Sequence, residues 1–211
     1  MSRKFAGRGP GRPPRGPRSS ERHETRPRLD PRWPVHVVVR SAPGSRLRGH
    51  RGWGAVRHAL RIAARRADFR ICQVSIQSSH LHAIVEADDR IALARGMQGF
   101  QIALARRFNA ISRRRGALFP DRYHAVALRR PRQVRGALAH VLNNWRRHGE
   151  DAGSPLRWDP FSSARAFDGW TSRPPPPGEP DDVVPVVGAA TWLMTIGWRR
   201  HGLIAPRERP G

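Results

Sequence analysis

The chain has 211 residues and carries 40 Lys and Arg against 16 Asp and Glu, a formal net charge of +24, which calls for a polyanionic partner such as a phosphate backbone. Its length allows one domain of ordinary size with appendages. One cysteine, Cys72, excludes an internal disulfide and a multi-cysteine zinc site, and no run reaches the roughly 18 apolar residues of a membrane span, so a soluble cytoplasmic protein is expected. Lys4 is the sole lysine, and arginine forks onto phosphates and stacks on bases as lysine cannot.

Residues 1–34 hold ten Lys or Arg and seven Pro, too little apolar surface to fold alone, and read as a disordered basic arm. Order is expected from "PVHVVVRSA", a β-branched run closed by a turn at "APGS". From Trp53 to Ala67, Val56, Leu60 and Ala63 recur at helical spacing with arginines opposite them. "FRICQVSIQ" alternates like a strand, and "HLHAIVEA" follows after Ser78-Ser79 as its antiparallel partner.

Asp88-Asp89 then caps a long helix in which Leu93, Met97, Phe100, Leu104, Phe108 and Ile111 form one apolar stripe. The loop "SRRRGALFPDR" leads to a short strand near Tyr123 to Leu128, and Pro131 opens a helix with Val134, Leu138, Val141 and Trp145 inward and Gly149 at its end. The order βαββαβα specifies an α+β fold, a ferredoxin-like two-layer sandwich. Three segments are expected: the arm 1–34, a domain over 35–150, and a C-terminal extension over 151–211 with the linker "RPPPPGEPDD" and a short docking helix. Trp198 to Gly202 repeats Trp145 to Gly149 letter for letter, either as shared helix-ending grammar of cations followed by glycine or as two Trp/Arg platforms for single-stranded nucleic acid.

Within "SSHLHAIVE", His80 and His82 lie two apart on a strand and so project from one face. Ten histidines give roughly half an H-x-H by chance, so the surroundings must decide. His140, Asn144 and His148 form one ridge on the last helix, and two imidazoles with an Asn oxygen suit Mn²⁺ or Mg²⁺. His36, His50, His58, His124 and His201 read as strand, loop or surface residues, and His148 as a helix-end cation.

"SIQSSHLHAIVEADD", "ARGMQGFQIALARRFNAISRRRGALFPDRYHAVAL" and "ALAHVLNNWRRHG", in that order across about Val35 to Gly149, resemble the HUH single-strand DNA transposases, in particular the bacterial branch associated with repetitive extragenic palindromes (REP). The resemblance implies His80, His82 and Asn144 as ligands of a divalent ion, Mg²⁺ or Mn²⁺. It also implies single-stranded DNA with a palindromic hairpin as partner, and strand nicking and transfer by a tyrosine. The tyrosine slot, four residues before Asn144, holds His140; Tyr123 is the one tyrosine of the chain.

Three readings stay open. The copy has lost strand transfer and binds DNA silently; His140 substitutes as nucleophile or as base for a metal-activated water; or Tyr123 reaches the site. As a further ligand, His140 would instead close the open position that catalysis needs. Arg113, Arg114, Arg115, Arg122, Trp145 and Arg146 are the expected DNA contacts. Whether one chain or two exchanging the last helix would build the site is left open.

Overall fold

The computed structural model describes residues 27–172, 174 and 184–209. The expected arm up to residue 26, and nearly all of the linker "RPPPPGEPDD", lie outside them. Of the arm, residues 27–34 are placed: Leu29 is buried in the core, and Trp33 packs on the sheet under the Arg129 guanidinium, 4.6 Å from its ring centre.

Strands β1 (Val35–Arg40), β2 (Phe69–Ile76), β3 (His80–Ala87) and β4 (His124–Ala127) form one sheet in the order β2-β3-β1-β4, with every neighbouring pair antiparallel. Helix α1 (His50–Ala63) crosses from β1 to β2, α2 (Arg90–Ile111) from β3 to β4, and α3 (Pro131–Arg147) follows β4. Each of the two crossovers passes over one intervening strand, which makes the split βαβ arrangement of a ferredoxin-like α+β sandwich.

Alternation along the central strands gives the sheet two apolar faces. Val35, Val37, Val39, Leu81, Ala83 and Val85 point to one core, with the α2 stripe Leu93, Met97, Phe100, Leu104 and Phe108 and with Val56 and Leu60 of α1. Each fully buried large side chain of that stripe is worth about 1.5–3 kcal/mol. Asp89 caps α2 by accepting from Ile91 N and Ala92 N, both at 2.7 Å. Gly96 lets α2 lie directly on Phe69, since a Cβ there would meet the ring at 2.2 Å.

Opposite that core, Ile84, and Cys72 at a β2 bulge, meet Val134, Leu138, Val141 and Leu142 of α3. Gln133 reaches back to accept from Arg129 N and Arg130 N and so closes the α3 start. Phe167, Trp170, Leu193, Met194 and Trp198 continue the same core, brought there by the C-terminal segment with its short helix α4 (Trp192–Thr195). That segment also pairs along the outer edge of β2: Ile76 N donates to Phe161 O, Ser163 N to Val74 O and Val187 N to Ile71 O. Buried Glu86 anchors it by accepting from Ala190 N, Thr191 N and the Thr191 hydroxyl. Among the described residues no helix is long and apolar enough to cross a membrane.

Candidate metal and DNA site

The two histidines that open β3 point to the α3 side. His82 faces Val38 of β1 and His80 faces Arg40, while His36, two residues earlier on β1, faces Ile84. Same-face alternation therefore puts His36 diagonally beside His82, with His36 Nε2 3.0 Å from His82 Nδ1. Above them, α3 contributes His140 and Asn144 one turn apart. Asn144 Nδ2 donates to His82 Nε2 at 2.9 Å, so His82 carries its proton on Nδ1 and donates it to His36.

Around His82 the ring centres of His80, His140 and His36 lie at 4.6, 5.0 and 5.2 Å, and His36 and His140 are 5.6 Å apart. His148 sits beyond His80 at 5.1 Å. Five imidazoles and one amide thus meet where β1, β3 and α3 converge. Burial is the main cause that pushes His36 and His80 down to about 4, and His82 to about 2. His140 is lowered as well, first by burial and then by Arg147 and His148. At neutral pH His36, His80, His82 and His140 therefore offer uncharged rings, the form that binds metal.

The residues fit a metal ion by two further observations. Asn144 is buried, and its Oδ1 has no hydrogen-bond partner, which makes it an available ligand oxygen. Among the described residues, the ligating atoms of His36, His82 and His140 lie within 4.8 Å of one another.

A buried ion network fixes the turn that leads into β3. Arg48, from the β1–α1 loop, meets Asp159 at 2.9 Å and Glu150 at 2.8 Å, and donates to Ile76 O at 2.5 Å. Glu150 in turn accepts from the backbone N–H and hydroxyl of Ser78. Asp159 also accepts from Phe161 N and from the Ser75 hydroxyl, yet burial outweighs these bonds and raises its carboxyl. The Arg48 guanidinium lies over the Phe161 and Trp145 rings at 5.0 and 6.0 Å.

His80, His82, Asn144 and His140 are brought together as their spacing predicts. His36, read from sequence as an ordinary strand residue, belongs to the cluster; the one signal was a polar side chain inside an apolar central strand. Tyr123, one residue before β4, is packed in the α1/α2 core on the other side of the sheet from His82, so this fold does not bring it to the site. Trp145, only 1 % exposed, is no base-stacking platform. Arg146 is held by Asp151, Pro206 O and Arg157 O instead of facing a ligand.

The repeated pentapeptide follows the helix-ending grammar. Arg146 and Arg199 each lie 4.8 Å over the preceding, buried Trp145 or Trp198, and Gly149 and Gly202 take φ of 67° and 83°. Arg113, Arg115 and Arg122 are exposed on the α2–β4 loop, while Arg114 binds Asn109 Oδ1 and Ala117 O within it. Ala42 N donates to Leu118 O, so this loop lies at the end of the sheet where β3 begins with His80.

No protein-family model matches the sequence, and no curated protein matches it. A solved structure described as "Structure of the REP associates tyrosine transposase bound to a REP hairpin" is similar over 68% of this chain and 82% of that one, with a TM-score of 0.52 and 17% sequence identity. At that identity the likeness is one of fold: the chain shares the fold of a REP-associated tyrosine transposase.

Proposed function

We propose that this protein binds single-stranded DNA carrying a palindromic hairpin, as a relative of the REP-associated transposases in which the tyrosine step has been lost. The observation that carries the reading is the meeting of His80, His82, His140 and Asn144 on the α3-covered face of a transposase-like sheet. In this reading the ion would be held through His82, with His80 and Asn144 as the ligands that the family resemblance implies. When bound, such an ion supplies Lewis-acid polarisation of a phosphate. His82 would bind through Nε2 while its Nδ1–H donates to His36, as the second nitrogen of a metal-binding imidazole usually does to a neighbouring group.

His140 stands where a tyrosine nucleophile would stand, and Tyr123 lies across the sheet. Strand scission through a phosphotyrosine therefore has no residue to carry it, while the cationic loop of Arg113, Arg115 and Arg122 at the His80 end retains the chemistry for gripping a backbone. The segment organisation proposed with it is an arm over 1–34, a DNA-binding domain over 35–150 and a C-terminal extension over 151–211.

A labelled hairpin-bearing single strand, incubated with the protein and Mn²⁺ and run on native and denaturing gels, tests the reading. The wild type should retard the strand without cutting it, and the His140→Tyr variant should gain cleavage and a covalent protein–DNA band. Cleavage by the wild type would give His140 a chemical role, and absence of any retardation would remove the DNA-binding reading altogether.

A further inference from the structure

We infer that His36, His82 and His140 form a three-imidazole metal centre for a borderline ion of the Zn²⁺ or Co²⁺ class, with His140 serving as a ligand. This deepens the reading above, since it concerns the same cluster, and it departs from the His80–His82–Asn144 set with Mg²⁺ or Mn²⁺. Each of the three residues comes from a different element, β1, β3 and α3, so the ion would tie both central strands to the helix that covers them.

The geometry carries the assignment. Three imidazoles bound at about 2.0–2.1 Å to one tetrahedral ion put their ring centres about 5 Å apart; here the three separations are 5.0, 5.2 and 5.6 Å. The ligating atoms already converge within 4.8 Å, and His80 is outside that group. His82 is approached from its two edges by different partners: Nδ1 by His36 and Nε2 by Asn144. The two candidate sites therefore use opposite nitrogens of one ring. An all-nitrogen set favours Zn²⁺ or Co²⁺, whereas Mg²⁺ and Mn²⁺ prefer oxygen.

Binding through Nδ1 requires a tautomer change. The proton on His82 Nδ1 moves to Nε2, and the Asn144 amide rotates so that its buried, unpartnered Oδ1 accepts it. No net charge change of His82 is needed. Three protein ligands leave a fourth position open, where a water or a phosphate oxygen could enter.

The full-length protein, stripped with EDTA and titrated with Co²⁺, is expected to develop the intense visible absorption of four-coordinate Co²⁺ at one equivalent. His36→Ala and His140→Ala should abolish it and weaken binding by more than the roughly 10–100-fold that loss of a supporting residue costs. His80→Ala should keep the band. X-ray absorption of the Zn²⁺-loaded wild type should count three imidazoles, a measurement independent of whether any variant folds. Loss of the band in His80→Ala but not in His36→Ala, two imidazoles with oxygen ligands, or no binding of either ion would overturn the assignment. Hairpin retardation by the metal-free protein is scored separately, so failure of the DNA-binding reading leaves the metal result standing, and the reverse.

Discussion

Replacing Arg48 with Met removes the cation that bridges two sequestered carboxylates. The Asp159 and Glu150 side chains are 0 % and 13 % exposed, and stranding buried charge in this way typically costs about 3–5 kcal/mol. Protonation sets a ceiling on the Asp159 share: from an ordinary carboxylate value of 3.8, neutralising it at pH 7 costs about 4 kcal/mol at 1.36 kcal/mol per pH unit. At pH 5 the same ceiling is below about 2 kcal/mol. Urea denaturation followed by circular dichroism should therefore show Arg48→Met destabilised by about 3–4 kcal/mol at pH 7 and by clearly less at pH 5.

Adding Asp159→Asn should recover part of the loss at pH 7, because a neutral amide can still accept from Phe161 N through its oxygen while its NH2 donates to the Ser75 hydroxyl oxygen. Since Glu150 holds Ser78, two residues before His80, the single variant should also weaken metal binding. A penalty below about 1 kcal/mol, or one that does not change with pH, would refute the view that uncompensated carboxylates are its cause.

Other perturbations have equally definite outcomes. His36, with its folded-state value lowered from 6.5 to about 4, favours the neutral ring. Its contribution is complete above about pH 6.5 and is lost as the pH falls toward 4, because the unfolded chain takes up a proton that the folded chain refuses. In metal-free buffer the urea midpoint should fall between pH 7 and pH 4.5, and His36→Phe should flatten that fall; an unchanged slope would contradict it. Gly96→Ala drives a methyl into the Phe69 ring and should cost about 1–3 kcal/mol, with partial rescue by Phe69→Leu on thermal melting.

β2 and the three long helices were legible because each carries a regular period, such as alternation in "FRICQVSIQ", the 3–4 spacing from Leu93 to Phe108 and the apolar face from Val134 to Trp145, while β1 showed as a β-branched run. That His80 shares a face with His82, and His140 with Asn144, was legible for the same reason, since period 2 and period 3.6 say which side chains lie together. His36 was hidden because its role depends on register: only the pairing of His36 with Ile84 and of Val38 with His82 sets it beside the H-x-H pair.

Trp145 carried two readings, inward on the apolar face of its helix and in contact with DNA. It is buried, with the Arg48 guanidinium, from a loop remote in sequence, 6.0 Å from its ring. The attachment of "FSSARAF" to the β2 edge left no local trace either, because its backbone bonds and those of the Ser163 hydroxyl to Val74 N and Gln73 join residues remote in sequence.

The cover on the β2 edge also governs how copies of this chain can meet. Phe161, Ser163 and Val187 occupy in cis the backbone groups of Ile71, Val74 and Ile76 that a second sheet would otherwise use, so strand-to-strand polymerisation is blocked on that side. The same bonds would form with a neighbour's tail, and its binding to the Glu86 carboxylate would be unchanged. A tail released from its own body and captured by another would then join two molecules without any new contact, an exchange governed by protein concentration and not by sequence change.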